Sequence, residues 1–477
     1  MSTETNVSPA RVSSTDVSSA SASAAVAKPS GEPRGRYPPG PNSTKRKSFS
    51  GQLGAVRRDP LGFFTHCART YGDITGMRYF NFRVFFINSP EYIEDVLVNN
   101  ARKFHKGRVL QANKGVFGEG LLTSEGNFWL RQRRLAQPAF HRGRIAAYAE
   151  TMVRYTERLL ETWCDGEERD LHEEMLRVTL QIVGKTLFDA DVAGDAKEVG
   201  KSLELLLELS ADFARDIFIP SWLPTPKNIR KARAIKKLDK IIYRIIKERR
   251  KSGHDAGDLL SMLLAARDED GSSMTDKQLR DESITLFLAG HETTANALSW
   301  TWWLLAQNPA AEKKLHAELD GVLSGKAPTL DDVARLKYTE NVLTESLRLY
   351  PPAWGTARVA IEEHEIGGYI VPKGTGISLT QWTMHRDPRW FDAPEEFRPE
   401  RWEDGLAKRL PRFAYFPFGG GPRQCIGNTF ALMEATLVLA TIAQRYRFRL
   451  VAGNSVVPLP SITLRPRHGI RAVLEAR

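Results

Sequence analysis

The feature that most constrains the fold is a helical pattern from Lys277 to Ala306 whose middle, Ser283 to Trp303, is unusually apolar. Its most apolar stretches, Leu286–Ala289 and Leu298–Ala306, fall short of the roughly 18–20 residues needed to span a bilayer, so the helix belongs inside a folded domain. There the string Ala289-Gly290-His291-Glu292-Thr293-Thr294 needs a reason, because polar groups at depth are costly unless paired. Helical spacing puts Thr285, Ala289, Thr293 and Ala297 on one stripe, with a small residue one turn before a hydroxyl. Such a stripe leaves room for a small molecule. Gly290 costs about 1 kcal/mol relative to alanine, which points to a local opening of the hydrogen-bond ladder or to a close approach by a neighbour. His291 lies off the stripe and has no catalytic role in this reading. Taken alone, the string also reads as a threonine bonded back to the preceding turn beside a solvated glutamate.

The rest of the chain frames that helix. Further helical patterns cover Tyr148–Trp163, Met175–Phe188, Ala232–Arg250, Asp258–Ala266, Ala310–Leu323 and Thr339–Leu349. Short alternating runs at Gly76–Ile87, Ile366–Val371 and between Tyr446 and Leu474 predict small sheets. The expectation is therefore a mainly α chain with a smaller β-rich region and no repeat architecture. Residues 1–36 are rich in Ser and Ala and lack periodicity, the composition of a disordered tail, and the prolines of Tyr37-Pro38-Pro39-Gly40-Pro41 open a folded domain over 37–477. Lys and Arg (68) outnumber Asp and Glu (57), a net charge of +11 that favours acidic partners. No secretory core is present and Glu4, Asp16 and Glu32 argue against a transit peptide, so a cytoplasmic chain without a transmembrane segment is expected.

Three widely spaced cysteines, Cys67, Cys164 and Cys425, form neither a disulfide framework nor a zinc site. Cys425 stands in Phe418-Gly419-Gly420-Gly421-Pro422-Arg423-Gln424-Cys425-Ile426-Gly427, directly before the helical pattern Asn428–Ala435. Three glycines permit a loop to lie flat against a planar group. The free amides and positive dipole end of the following helix favour a thiolate, and Arg423 adds a nearby cation. A cysteine in isolation is more often a buried structural residue, which is how Cys67 and Cys164 read. Elsewhere, Trp129 and Arg133 lie one helical turn apart and can grip one carboxylate, while Glu345 and Arg348 can pair along a helix.

Position for position, the Cys425 string resembles the haem-binding loop of the cytochrome P-450 family. The resemblance extends to the acid–alcohol pair Glu292-Thr293, to Glu345-x-x-Arg348, to the Arg398–Trp402 segment and to Trp129-x-x-x-Arg133, in family order from about Tyr37 to Arg477. It implies the cytochrome P-450 fold with haem b between two central helices and Cys425 as the axial ligand of its iron. It further implies Phe418, Gly427 and Ala289 beside the cofactor, and Trp129, Arg133, Arg358 and Arg423 as propionate contacts. Glu292 and Thr293 would deliver protons on the oxygen side, and Glu345, Arg348 and Arg401 would form a buried scaffold triad.

The activity so implied is monooxygenation, one atom of O2 entering a small lipophilic compound of fatty acid, terpenoid or polyketide type. A haem-thiolate isomerase or peroxygenase that needs no reductase is the alternative. Family placement would line the pocket with Arg108–Gly120, Leu206–Pro220, Thr285–Thr293, Ala353–Thr356 and Pro460–Thr463, including Phe117, Phe218, Phe287, Trp354 and Ile462. The haem domain consumes the chain, so electrons from NAD(P)H must arrive through a separate ferredoxin or flavodoxin and its reductase. Arg131, Arg134, Lys408, Arg409, Arg412 and Arg423 offer a basic face for such a partner. A monomer that binds no nucleic acid is expected.

Overall fold

A computed structural model describes residues 37–41, 49–79, 82–189, 195–210 and 223–477. The tail over 1–36 and Phe218 lie outside the described residues. The helices that matter for the site are α1 (Pro60–Tyr71), α2 (Gly126–Ala136), α3 (Ala149–Leu160), α4 (Leu171–Phe188), α5 (Asp195–Ser210), α6 (Pro226–Ser252), α7 (Leu259–Ala265), α8 (Asp276–Gln307), α9 (Pro309–Leu323), α10 (Lys337–Leu349) and α11 (Asn428–Ala443). Every helical pattern named above falls on one of them.

Helix α8 is the axis of the molecule. Thr275 and Gln278 close its N-terminus as a reciprocal capping box, which satisfies two otherwise orphaned amides. Its 32 residues then run about 48 Å at 1.5 Å per residue. Because it is apolar on most faces it is packed on several sides, by α4, α6, α10 and α11. One core cluster gathers Met152, Ile182, Leu298, Trp302, Leu315, Leu343 and Leu437 from α3, α4 and α8 to α11. A second joins Phe117 and Leu135 to Val183, Leu238, Ile242, Leu286 and Phe287. Each large apolar side chain so buried contributes about 1.5–3 kcal/mol.

The β-rich region is a five-stranded sheet in the order β1-β2-β8-β5-β3, built from β1 (Ile74–Tyr79), β2 (Phe82–Ile87), β3 (Phe104–Lys106), β5 (Thr356–Ala360) and β8 (Gly376–Leu379). Only β2 and β8 pair in parallel. The register of β3 on β5 sets Lys106 opposite Arg358, a pairing that matters below. Smaller sheets join β4 (Glu168–Asp170), β12 (Arg471–Ala476) and β9 (Tyr446–Leu450), then β6 (His364–Ile366) with β7 (Tyr369–Val371), and β10 (Pro458–Pro460) with β11 (Leu464–Pro466). No helix among the described residues is long and apolar enough to cross a membrane. Cys67 is fully buried against Met77 and Phe86, and burial pushes its thiol up to about 12. Cys164, expected to be structural, is exposed instead, at the turn between α3 and β4.

Candidate functional site

The Cys425 loop owes its path to three glycines with different duties. Gly419 and Gly421 both adopt φ 68°, and a Cβ on Gly421 would lie 1.9 Å from the Leu97 carbonyl oxygen. Gly420 has no room either, since its Cβ would meet the Phe413 ring at 2.4 Å. Gly427, by contrast, has φ −95° and only an ordinary contact with Phe140, so the protein's own packing does not require glycine there. The Cys425 amide donates to the Phe418 carbonyl (3.0 Å), which closes the loop just before α11.

Cys425 is accessible, although protein surrounds its sulfur closely enough that burial pushes the thiol up. The Gly427 amide and the Arg133 guanidinium oppose that shift. The cation beside the sulfur is thus Arg133, whose Nη1 donates to the Gln424 carbonyl (3.0 Å), and not Arg423 as the sequence implied. Arg423 turns the other way, because Glu125 and the Phe104 carbonyl hold its guanidinium.

Around Trp129 the strands and the loop converge. Arg423 lies 5.5 Å and the Lys106 ammonium 5.6 Å from the indole ring. Arg358 is buried and spends Nη1 on Thr356 Oγ1 and the Ala357 carbonyl. Burial, then the charge of Arg423, pushes Arg358 down to about 10. Burial, then repulsion from Arg423 and Arg358 against the opposing pull of Glu125, pushes Lys106 down to about 7. Three cations crowd here around one contacting carboxylate, Glu125. Buried positive charge in excess of its counter-ions calls for more anions. The two carboxylates of a haem supply them, and a neighbouring accessible thiol supplies an iron ligand, so the donor set fits that cofactor.

Between Leu279 and Trp302 every residue of α8 is buried except Ala289, Gly290 and Thr293, the first and last of which lie on the expected stripe. Ala289 is exposed and Thr293 half-buried in the midst of a buried helix. Thr285 is closed off, since the Gly118–Leu121 turn sits over it so tightly that a Cβ on Gly120 would come within 2.4 Å of its hydroxyl. Asp281 and Glu282 staple that turn by accepting from the Glu119 and Leu121 amides, and Lys106 holds the Leu121 and Ser124 carbonyls from the other side (2.7 Å each). Thr293 Oγ1 donates back to the Ala289 carbonyl (2.6 Å), as the simpler reading had it. The ladder stays α-helical through Gly290, which is small because Val183 of α4 would meet a Cβ there at 3.0 Å.

Glu292 is buried, not solvated, and points along a second stripe. Thr463 Oγ1 donates to Glu292 Oε1 (2.6 Å), Asn296 donates to Thr463 (3.3 Å) and Trp300 Nε1 donates to the Leu464 carbonyl (3.0 Å). Residues 292, 296 and 300 are spaced four apart, so one face of α8 clasps the segment leading into β11. His291 is buried against the Phe287 carbonyl, and burial pushes it down to about 4.

Lys106, Glu125 and Thr463 were not singled out by sequence. Lys106 and Glu125 carry no local pattern, and Thr463 appeared only within a lining segment. Two further expectations change. Phe287 stacks on Phe188 as core (5.1 Å). Of the basic face, Arg131 pairs with Asp268, Arg134 with Glu269, Arg412 with Glu94 and Arg423 with Glu125, whereas Lys408 and Arg409 are exposed without an ion pair among the described residues. An open cleft of about 340 Å³ lined by Lys114, Glu119, Asp239, Lys277, Arg280 and Asp281 is too charged for a lipophilic ligand, and its charges pair internally.

Residues 38–470 match the family described as Cytochrome P450, and the chain belongs to that family. It is 41% identical over 420 residues to cyclooctatin synthase of Streptomyces melanosporofaciens, covering 87% of this chain and 91% of the relative. Cyclooctat-9-en-7-ol 5-monooxygenase of the same organism is 38% identical over 411 residues (85% and 89%), and pentalenene oxygenase of Streptomyces avermitilis 34% over 432 residues (90% and 95%). The solved structure of cyanobacterial CYP120A1 with retinoic acid bound matches with a TM-score of 0.79 at 27% identity, covering 87% of this chain and 94% of that one. The chain is therefore a P450 monooxygenase of P450 fold, a family that works with haem and O2.

Proposed function

We propose that this P450 oxygenates a cyclic terpenoid, with electrons drawn from NAD(P)H through a separate ferredoxin or flavodoxin and its reductase in the cytoplasm. Support comes from the names of three relatives identical to it at over a third of the aligned residues. The observation that carries the site assignment is the pairing of an accessible Cys425 with an accessible Ala289–Thr293 stripe on an otherwise buried helix.

In this reading a bound haem would supply the oxygen-activating chemistry, and the Cys425 thiolate would hold its iron. Arg133 and the Gly427 amide favour the charged form of that sulfur. Lys106, Arg358, Arg423 and Trp129, which lie together, would hold the two haem propionates with charge-assisted hydrogen bonds. Ala289 leaves space at the helix. The Thr293 hydroxyl, bonded to the Ala289 carbonyl, keeps its lone pairs toward the open side, where it accepts and passes a proton. Glu292 is the buried acid of the relay, and Thr463 fixes its carboxyl.

The test is reconstitution of the holoenzyme with a surrogate ferredoxin, its reductase and NADPH on a panel of cyclic terpenes. Product that requires both O2 and electrons is expected. Turnover on peroxide alone, with none from the reductase system, would replace this reading with a peroxygenase. The reduced protein under carbon monoxide should show a strongly red-shifted Soret band that Cys425→Ala abolishes while the fold persists by circular dichroism.

A further inference from the structure

Helix α6 carries twelve Lys and Arg against two acidic residues, so it holds nearly all of the chain's net charge of +11 and leaves the remainder close to neutral. Its inner face is apolar, with Ala234, Leu238, Ile242 and Ile246 buried four residues apart. At 100° per residue the opposite face is a single stripe of Ile229, Arg233, Lys236, Lys240, Tyr243, Lys247 and Lys251, every one of them exposed. The stripe is straight and about 33 Å long. None of its five cations has an acidic partner among the described residues, whereas Arg249 and Arg250 off the stripe pair with Asp258 and Asp276. Ile229 and Tyr243, together with Leu223 just before the helix, are among the few large apolar side chains left exposed.

We propose that this face docks the protein on an anionic phospholipid bilayer, with α6 lying flat, its cations on headgroup phosphates and Leu223, Ile229 and Tyr243 entering the interface. Charge alone would suit any polyanion. The interspersed Leu, Ile and Tyr favour a bilayer, because they gain nothing against a hydrated phosphate backbone but do gain in the lipid interface. Placement agrees: the inner face of α6 packs in the cluster that contains Phe117, Leu286 and Phe287, so docking would set the roof of the α8 core against the phase in which a lipophilic compound dissolves. That last point rests on the proposed substrate class, while the charge pattern stands independently of it.

The experiment is vesicle flotation of the full-length holoenzyme. Vesicles of equal parts phosphatidylglycerol and phosphatidylcholine should float the protein, phosphatidylcholine alone should not, and added salt should release it. Arg233→Glu, Lys236→Glu, Lys240→Glu, Lys247→Glu and Lys251→Glu combined should weaken binding on the order of a hundred-fold or more, with an unchanged Soret spectrum. Should that variant misfold, Lys236→Gln with Lys240→Gln and Lys247→Gln should still weaken binding on the order of ten-fold or more. Ile229→Ser with Tyr243→Ser should lower affinity without changing the salt dependence. Equal flotation of wild type and folded charge variants would overturn the proposal. So would retention of a random-sequence DNA duplex without vesicle binding, which would assign the face to nucleic acid. Neither result bears on which compound is oxygenated.

Discussion

At the scale of single residues the site depends on side chains that hold others in place. Thr463 is the clearest case, since its hydroxyl donates to the buried Glu292 carboxylate and accepts from Asn296. Thr463→Val keeps the shape and removes both bonds. Turnover in the reconstituted system should fall about ten-fold, as expected when an acid loses its alignment, while the substrate-induced spin-state shift stays intact. A loss of the spin-state shift in parallel with turnover would mean that Thr463 shapes the pocket and not the acid. The residues of the proposed site that the sequence could single out are those that stand in a local string: Cys425 in its glycine loop, and Glu292 with Thr293 inside an apolar helix. Lys106 and Thr463 act across 252 and 171 residues of chain, on Arg358 and Glu292 respectively, and no local pattern carries such a contact.

Among the elements, α10 does most to join the helical region to the loops before the cysteine. Glu345 and Arg348 are fully buried and bonded in parallel, Arg401 and Trp402 Nε1 donate to the same carboxylate, and Arg348 also caps the His385, Pro394 and Glu396 carbonyls. Burial by itself would raise Glu345, but the hydrogen bond and charge of Arg348, then Arg401, hold it below the usual carboxylate range. Glu345→Gln leaves two guanidinium groups without their counter-charge and should lower stability by about 3–5 kcal/mol in urea unfolding, with partial loss of haem. A change under about 1 kcal/mol would show the triad to be dispensable. Elements were legible in proportion to their length. Most of the long helices carry several turns of apolar period and were expected close to their observed bounds, but α5, 16 residues long, was missed and α6 starts at Pro226, a turn and a half before the expected Ala232. Strands β3, β5 and β8 hold three to five residues each, too few for an alternating pattern, and the large sheet they complete was therefore hidden.

The whole molecule's response to pH follows from buried groups that face opposite ways. His291 and His385 are pushed down to about 4 and about 3 by burial, so the folded chain refuses protons that the unfolded chain takes up below about 6.5. Their contribution to stability is thus lost as pH falls through that range. Glu282 runs the other way. Burial raises it to about 8 against the opposing pull of the Leu121 amide, so the folded chain keeps a proton that the unfolded chain releases near 4.5. Glu434 is likewise raised by burial. Stability from these carboxyls is fully present at low pH and declines as pH rises toward 8. The imidazoles and the two carboxyls therefore oppose each other below about 6.5, and above about 7 the opposition passes to Lys106, pushed down to about 7 by burial, because the folded chain gives up a proton that the unfolded chain still holds. Glu282→Gln mimics the protonated acid and isolates one of the opposing terms. Between about pH 5 and pH 7 the variant should gain about 2–3 kcal/mol on the wild type, read from urea midpoints of the holoprotein at each pH. A constant difference across that range would mean that Glu282 ionises in the folded protein much as it does in water, and that the Gly118–Leu121 turn is held to α8 by a carboxylate and not by a neutral acid.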